Sequence, residues 1–180
     1  TGDGDLPGVE RLRFSTKGGA TDQTHYFSRT FENVTWQSSA LYKALRVRPD
    51  IQPDLIVGHS GFVTALPLRD LYPGVPVVNF FEYFYHARDS DLDFRPDEPP
   101  AEPDRIRARF RNAAILLDLE SCEAAYSPTH WQRSLFPEAF RPKIEVIFDG
   151  VDTQLWQPRG RTPRKAGHIT VPENVKLVTY

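Results

Sequence analysis

Residues 54–66 read DLIVGHSGFVTAL, an apolar run that ends in the polar tetrapeptide Gly58-His59-Ser60-Gly61. A second apolar run, VPVVNFF at positions 75–81, ends in Glu82. Short continuous apolar runs are typical of strands that are buried on both faces of a parallel sheet. The sequence therefore predicts two buried strands, each followed at once by polar side chains.

Helical patterns alternate with these runs along the chain. From Ser28, a predicted N-cap, apolar residues recur every three or four positions until Pro49 ends the pattern. Further helices are predicted at 62–71, at 103–121 and from the N-cap Thr129 to Phe136, and further strands at 9–15, 124–126 and 143–148. Alternating strands and helices predict an α/β fold, a Rossmann-like parallel sheet with helices on both faces.

The composition excludes several classes of protein. With 39% hydrophobic and 12% aromatic residues in 180, the chain can form one α/β domain or slightly more. A formal net charge of -2 gives no general attraction to nucleic acid. Cys122 is the single cysteine, so no internal disulfide can form and a cytoplasmic location is expected. No apolar run approaches the length of a membrane span.

The two ends of the sequence predict further structure outside it. The first eight residues, TGDGDLPG, are rich in turn formers where an α/β domain has its first buried strand, so that strand is expected upstream of Thr1. Residues 157–167 have the composition of an interdomain linker, and residues 175–180, VKLVTY, resemble a strand that has just begun.

Four segments, whose order is kept across more than half of the chain, together resemble the retaining glycosyltransferases of family 4, in particular a bacterial branch that makes exopolysaccharides and other surface glycans. The most specific pieces are SPTHWQ at 127–132 and IEVIFDGVD at 144–152. The four segments are PDLIVGHSGF at 53–62, PVVNFFEYFYHARDSDLDFRPDEP at 76–99, RNAAILLDLESCEAAYSPTHWQRSLFP at 111–137 and KIEVIFDGVDTQLWQP at 143–158.

This resemblance implies a GT-B architecture, in which two Rossmann-like domains face each other across a cleft. Residues 1–156 resemble the N-terminal, acceptor-side domain, and residues 157–180 resemble the linker and first strand of the donor-binding domain. The family's glycine-rich loop would precede Thr1, and its paired glutamates would follow Tyr180. The 180 residues alone are therefore not expected to turn over substrate.

The implied reaction moves a sugar from a nucleotide-sugar to a glycan or lipid-linked acceptor in polysaccharide biosynthesis. Such a reaction requires an acceptor hydroxyl held within about 3 to 3.5 Å of the anomeric carbon and a stabilised diphosphate leaving group. In GT-B enzymes, helix N-termini and basic side chains stabilise the diphosphate, so neither a metal nor another cofactor is expected. The expected partners are the two substrates and the C-terminal domain, and no nucleic acid.

The candidate site residues are the polar and aromatic side chains at the predicted strand ends. Glu82 stands where many relatives carry a histidine that contacts the donor sugar, so it is the candidate catalytic residue. A salt bridge to Arg88 is the alternative for its carboxylate. The candidate substrate-binding residues are His59, Ser60, Gly61, Tyr83, Tyr85, His86, Ser127, Thr129, Asp149 and Gly150.

Structural roles remain open for most of these residues. Ser60 could cap the helix that follows it, Thr129 could act only as an N-cap, and the aromatic side chains could belong to the core. Gly150 is expected to provide a positive-φ turn, so hinge geometry at Asp149 and Gly150 is an alternative to ligand binding.

The sequence also leaves other functions and sites open. A hydrolase with Ser60 as nucleophile would need glycine at position 62, where the chain has Phe62. A non-catalytic sugar-binding or assembly module is the second alternative. The Asp-x-Asp matches at 89–91 and 91–93 suggest a metal site, but an acid-rich loop provides such matches by chance. Arginines at 105–111 and the basic residues at 159–165 could also contact a membrane that carries a lipid-linked acceptor.

Overall fold

The computed structural model describes residues 7–157, 164–172 and 174–176. The chain divides into two units, one ending at Phe148 and the other beginning at Asp149. Within the described residues, no helix combines the length and the apolar composition that crossing a bilayer requires.

The first unit is built on a parallel sheet of four strands. These are β1 (Ile56–His59), β2 (Val77–Phe80), β3 (Ala124–Ser127) and β4 (Ile144–Val146). They lie in the order β1-β2-β3-β4, and every neighbouring pair is parallel. The predicted Rossmann-like parallel α/β fold is therefore confirmed.

Helices connect the strands, as parallel pairing requires. They are α1 (Arg29–Arg46), α2 (Leu68–Leu71), α3 (Glu102–Arg111), α4 (Ala113–Ser121) and α5 (His130–Ser134), and a 3₁₀ turn (Arg141–Lys143) precedes β4. The N-cap of α5 is Thr129, as predicted, and its hydroxyl accepts a hydrogen bond from the backbone N–H of Gln132 at 3.1 Å. Ser28 stands at the N-cap position of α1, but its side chain makes no capping bond.

The two faces of the sheet differ in burial. Helix α4 packs against β2 and α5 against β3 and β4. On one face of the sheet most side chains are buried: Ile56, Val77, Asn79, Ala125, Ser127 and Ile144. On the other face, Val57 is 60% exposed. The core therefore lies on one side of the sheet, where the rings of Phe81 and Phe136 meet edge to face at 5.6 Å.

Three sequence-based predictions differ from the structure. The alternating stretch at 9–15 forms no strand. Of the helix predicted at 62–71, only α2 (Leu68–Leu71) forms. The residues before it form turns that tertiary hydrogen bonds hold in place. The helix predicted at 103–121 is two helices separated at Asn112. The side chain of Asn112 makes two hydrogen bonds with the backbone of Tyr85. The Tyr85 N–H donates to Oδ1 of Asn112 at 2.9 Å, and Nδ2 of Asn112 donates to the Tyr85 carbonyl at 2.8 Å.

The second unit contains a short antiparallel pair, β5 (Lys165–Ala166) and β6 (Ile169–Thr170). Gly167 between them has a φ of 61°. Residues 158–163 of the predicted linker and residues 177–180 of the predicted final strand lie outside the described residues.

Candidate functional site

The carboxyl ends of β1 and β2 bring the predicted polar residues side by side. The backbone N–H of Ser60 donates to the carbonyl of Phe80 at 3.0 Å, and the N–H of Phe81 donates to the carbonyl of Tyr126 at 2.8 Å. The sheet pairing therefore continues one residue past each strand. It places Ser60 and Gly61 next to Glu82 at the edge where parallel α/β sheets bind ligands.

A cleft of about 340 Å³ opens at this edge. Helix α1 forms one wall, the two strand ends form the floor, and the junction between α3 and α4 forms the other wall. The residues that line it are Thr30, Asn33, Val34, Gln37, Ser60, Gly61, Phe62, Glu82, Tyr83, Tyr85, Arg111 and Ile115. The cleft thus combines one carboxylate, one guanidinium, two side-chain amides, hydroxyls and aromatic rings, a set that suits a polyhydroxylated ligand.

The floor of the cleft is fixed from below by Asp118 of α4. Its carboxylate is fully buried and accepts hydrogen bonds from the Ser60 hydroxyl, at 2.7 Å, and from the Thr64 hydroxyl. The N–H of Thr64 in turn donates to the Ser38 hydroxyl of α1 at 3.0 Å. These bonds tie the turn after β1 to both α1 and α4, so the position of Gly61, with its φ of 99°, is determined by buried contacts.

Glu82 is one of the residues that line the cleft, and its carboxylate contacts His59. The side chain is 57% exposed, and its Oε2 lies 3.5 Å from Nε2 of His59. The ring of His59 also meets the rings of Phe62 and Phe80 edge to face. The partner of Glu82 is therefore His59 of the neighbouring strand. The Glu82 backbone is held as well, since its carbonyl accepts a bond from Gln132 at 2.9 Å.

Two tyrosines form the aromatic part of the wall. The rings of Tyr83 and Tyr85 meet edge to face at 5.2 Å, and Trp131 lies 6.1 Å from Tyr83. The Tyr83 hydroxyl donates to Asp91 at 3.0 Å, which connects the wall to the acidic loop. Burial raises the pKa of Tyr83, so this hydroxyl stays a hydrogen-bond donor at neutral pH. Aromatic rings beside polar groups suit the apolar face of a sugar ring.

The glycosyl transferase family 4 group matches residues 1–156 of the chain. The chain belongs to glycosyl transferase family 4. Neither a search of curated proteins nor a search of solved structures found a match. The family assignment identifies the chain as a transferase, and it agrees with the Rossmann-like sheet and with the sugar-compatible cleft.

In this family 4 glycosyltransferase, several predicted site residues lie outside the cleft lining. Nε2 of His86 donates to the backbone carbonyl of Leu135 at 2.8 Å, in a separate depression. Ser127 is fully buried under the sheet, and Thr129 caps α5. Asp149 and Gly150 belong to the second unit, where Gly150 has the predicted positive φ, 80°.

The geometry of Ser60 does not suit a hydrolase nucleophile. In a Ser-His-Asp triad the serine hydroxyl donates to a histidine base, whereas here the Ser60 hydroxyl donates to Asp118. The imidazole of His59 is engaged on the opposite face of the strand, with Glu82 and two phenylalanine rings. Ser60 also does not cap a helix, because its side chain is turned down to the carboxylate.

The Asp-x-Asp segment of the glycosyltransferase is organised by its own backbone. The carboxylate of Asp93 accepts the N–H groups of Asp89 and Ser90, both at 2.9 Å, and these bonds lower the pKa of Asp93. Asp89 has a positive φ of 51°, which closes the turn. Among the residues that the structure describes, no cluster of three or more His, Cys, Asp or Glu side chains could hold a metal ion.

Four lining or supporting residues are not among those predicted from the sequence. Asn33 and Gln37 lie on the polar side of α1, one turn apart, and helical spacing from Thr30 could have identified them. Asp118 is a single carboxylate inside the apolar run AAILLDL, and that position is a signal of a buried polar contact. Arg111, one of the arginines for which the sequence suggested a membrane contact, lines the cleft.

Burial raises the pKa of the Asp118 carboxyl above its usual 3.8, and bonds from Thr64, Ser60 and the Ala65 backbone partly oppose this rise. The folded state therefore holds this proton more tightly than the unfolded state does. The stabilisation is fully present below the unfolded pKa and is lost as the pH rises through the folded pKa. Urea denaturation at several pH values gives the free energy of unfolding as a function of pH. Asp118→Asn should remove the fall in this free energy that the titration of Asp118 causes. The same dependence of the unfolding free energy on pH in wild type and Asp118→Asn would contradict a raised pKa of Asp118 in the folded state.

Proposed function

We propose that this chain forms the acceptor-side half of a retaining glycosyltransferase that moves a sugar from a nucleotide-sugar to a glycan or glycolipid in polysaccharide biosynthesis. The observation that carries the proposal is the cleft at the ends of β1 and β2, which Glu82 and the two tyrosines Tyr83 and Tyr85 line together. Family membership supports sugar transfer, and the cleft has the groups that bind a sugar acceptor.

In the proposed reaction, the acceptor ring lies against Tyr83 and Tyr85, and the amides of Asn33 and Gln37 bond its outer hydroxyls. The Glu82 carboxylate accepts a hydrogen bond from the reacting hydroxyl and orients it toward the anomeric carbon of the donor. Positioning of this kind converts an encounter of two molecules into a reaction within one complex. His59, at 3.5 Å from Glu82, restricts the rotation of the carboxylate.

The donor side is proposed to come from a second domain of the same protein, with Asp149 and Gly150 in the connection between the domains. The positive φ of Gly150 supports a tight turn at that point. The developing diphosphate charge would be stabilised by groups of that domain, without a metal or another cofactor. We place the reaction in the cytoplasm, at a membrane surface if the acceptor is lipid-linked.

Transfer by the intact protein tests the proposal. The protein is incubated with a panel of nucleotide-sugars and with glycan and glycolipid fractions from its source, and the anomeric configuration of the product is read by NMR. The expected result is transfer with the donor's configuration retained. Inverted product would contradict the retaining mechanism. Acceptor binding without transfer from any donor would instead indicate a non-catalytic sugar-binding module.

A further inference from the structure

The start of α5 contacts the segment that carries Glu82. Nε2 of Gln132 donates a hydrogen bond to the backbone carbonyl of Glu82 at 2.9 Å, across 50 positions of the chain. The ring of Trp131 lies 6.1 Å from the ring of Tyr83, the next residue in the cleft wall. The segment SPTHWQ at 127–132 therefore touches the cleft wall through residues that are not part of the lining.

The side-chain amide of Gln132 is held in one orientation. The carbonyl of Glu82 can only accept a hydrogen bond, so the NH₂ group of the amide must face it. The amide oxygen accepts a bond from the hydroxyl of Thr129 at 2.7 Å, and the same hydroxyl accepts the backbone N–H of Gln132 at 3.1 Å. Rotation of the Gln132 side chain would break two hydrogen bonds at once.

The backbone at Glu82 depends on this contact because the sheet no longer holds it. Strand β2 ends two residues before Glu82, and its pairing with β3 continues only to the bond from the Phe81 N–H to the carbonyl of Tyr126. Pro128 follows β3 and has no N–H, so it cannot extend this pairing. Among the described residues, the Glu82 carbonyl accepts no hydrogen bond except the one from Gln132.

The position of this backbone matters because the Glu82 side chain has few restraints of its own. It is 57% exposed, and its carboxylate has a single ion-pair contact, with His59 at 3.5 Å. A displacement of about 1 Å at a reacting group can reduce a rate about 100-fold. A bond that fixes the backbone of Glu82 therefore also limits where its carboxylate can lie.

We infer that Gln132 is a positioning residue, which holds the backbone of Glu82 so that the carboxylate meets the reacting hydroxyl of the acceptor. The inference rests on the proposed function, in which Glu82 orients that hydroxyl. Thr129 then has a second role besides capping α5, because its hydroxyl orients the amide of Gln132. The segment at 127–132 would serve the reaction from outside the cleft lining.

A double-mutant cycle on the intact protein tests the inference, with sugar transfer as the readout. Gln132→Met removes both side-chain bonds and keeps the backbone N–H that bonds Thr129, so α5 retains its N-cap. It should lower kcat by about 5- to 20-fold with little change in KM, because positioning acts on the transition state. Added to Glu82→Gln, the same substitution should cost less than about twofold. Losses that multiply would overturn the inference, since Gln132 would then act independently of Glu82.

Gln52→Met is the matched control. Gln52 also donates its side-chain amide to a backbone carbonyl, that of Pro49 at 3.0 Å, but it is exposed and does not line the cleft. The variant should transfer sugar at the wild-type rate. A loss equal to that of Gln132→Met would show a general effect of removing such an amide and would overturn the inference.

The role of Thr129 is tested by a pair of substitutions. Thr129→Val removes the hydroxyl and should lower kcat at least as much as Gln132→Met does. Thr129→Ser keeps the hydroxyl and should lose much less. Equal activity of the two variants would overturn the role of the hydroxyl. Thermal unfolding shows whether each variant is folded, and Gln132→Met keeps the test valid if Thr129→Val is not, because its N-cap is intact.

Backbone relaxation of the ¹⁵N-labelled intact protein gives a readout that does not depend on transfer. The N–H of Tyr83 belongs to the same peptide plane as the carbonyl of Glu82. Gln132→Met should therefore lower the order parameters of the Glu82 and Tyr83 amides and leave that of Ser60, which bonds Phe80, unchanged. Unchanged order parameters at Glu82 and Tyr83 would overturn the inference.

Failure of the inference and failure of the proposed function give different results. If Glu82→Gln suppresses transfer while Gln132→Met changes neither transfer nor the two amides, the inference alone is wrong. If Glu82→Gln transfers sugar at the wild-type rate while Gln132→Met loosens the two amides, the catalytic role of Glu82 is wrong, and Gln132 still holds its backbone.

Discussion

Replacing Asp118 with alanine is expected to lower the free energy of unfolding by about 2–4 kcal/mol. The substitution leaves the hydroxyls of Ser60 and Thr64 without their common acceptor in a buried site, and each unsatisfied buried group costs about 1–3 kcal/mol. Removing a carboxylate whose burial raises its pKa offsets part of this cost. Urea denaturation of the intact protein measures the difference.

Asp118→Asn is the control for this experiment, because it keeps the shape and one acceptor oxygen. It should cost less than the alanine variant. Because the carboxylate also fixes the turn at Gly61, the alanine variant should bind acceptor more weakly even at temperatures where it is folded. A loss below about 1 kcal/mol would show that the buried network does not hold the floor of the cleft.

Replacing Glu82 with glutamine is expected to reduce kcat/KM for sugar transfer by about 100-fold or more. Glutamine has almost the same shape, but it cannot accept a charge-assisted hydrogen bond from the reacting hydroxyl, and positioned proton acceptors contribute about 10²–10⁴ in rate. The Glu82 side chain is 57% exposed and its ion-pair contact is a single one at 3.5 Å, so the melting temperature should hardly change.

Glu120→Gln is the matched control, since Glu120 is an exposed glutamate of α4 that does not line the cleft. It should transfer sugar at the wild-type rate. Activity of Glu82→Gln within about threefold of wild type would exclude the proposed role of the carboxylate. Loss of activity together with a large loss of stability would point to a structural role.

The strands of the sheet were predictable because buried strands are rich in apolar residues. The apolar runs before Gly58 and Glu82 form neighbouring strands as predicted, although Val57 shows that β1 is buried on one face only and not on both. Gly58 is required there, because a Cβ would stand 2.1 Å from Oδ1 of buried Asn79 on the next strand. The helix predicted at 62–71 failed because Thr64 bonds distant residues, Ser38 and Asp118, which local periodicity does not reveal.

The floor of the candidate site and the two tyrosines of its wall were predictable, whereas the residues that the helices contribute were not. Ser60, Gly61 and Glu82 follow strands in the sequence, so sheet topology alone brings them together. Asp118 is 58 positions from Ser60, and a contact at that separation depends on how α4 packs. Arg111 reaches the cleft because the helix breaks at Asn112, where a side chain binds the backbone of Tyr85, and a single continuous helix had been predicted there.

The central claim is that one acceptor-binding cleft lies where β1 and β2 end. Backbone amide NMR of the ¹⁵N-labelled intact protein, titrated with the acceptor fraction that supports transfer, tests it most directly. The claim predicts shifts that are largest at Ser60, Gly61, Glu82 and Tyr83 and that extend along the lining face of α1. Shifts confined to the apolar groove around Tyr42 and Leu66, on the other side of that helix, with the strand ends unaffected, would contradict it.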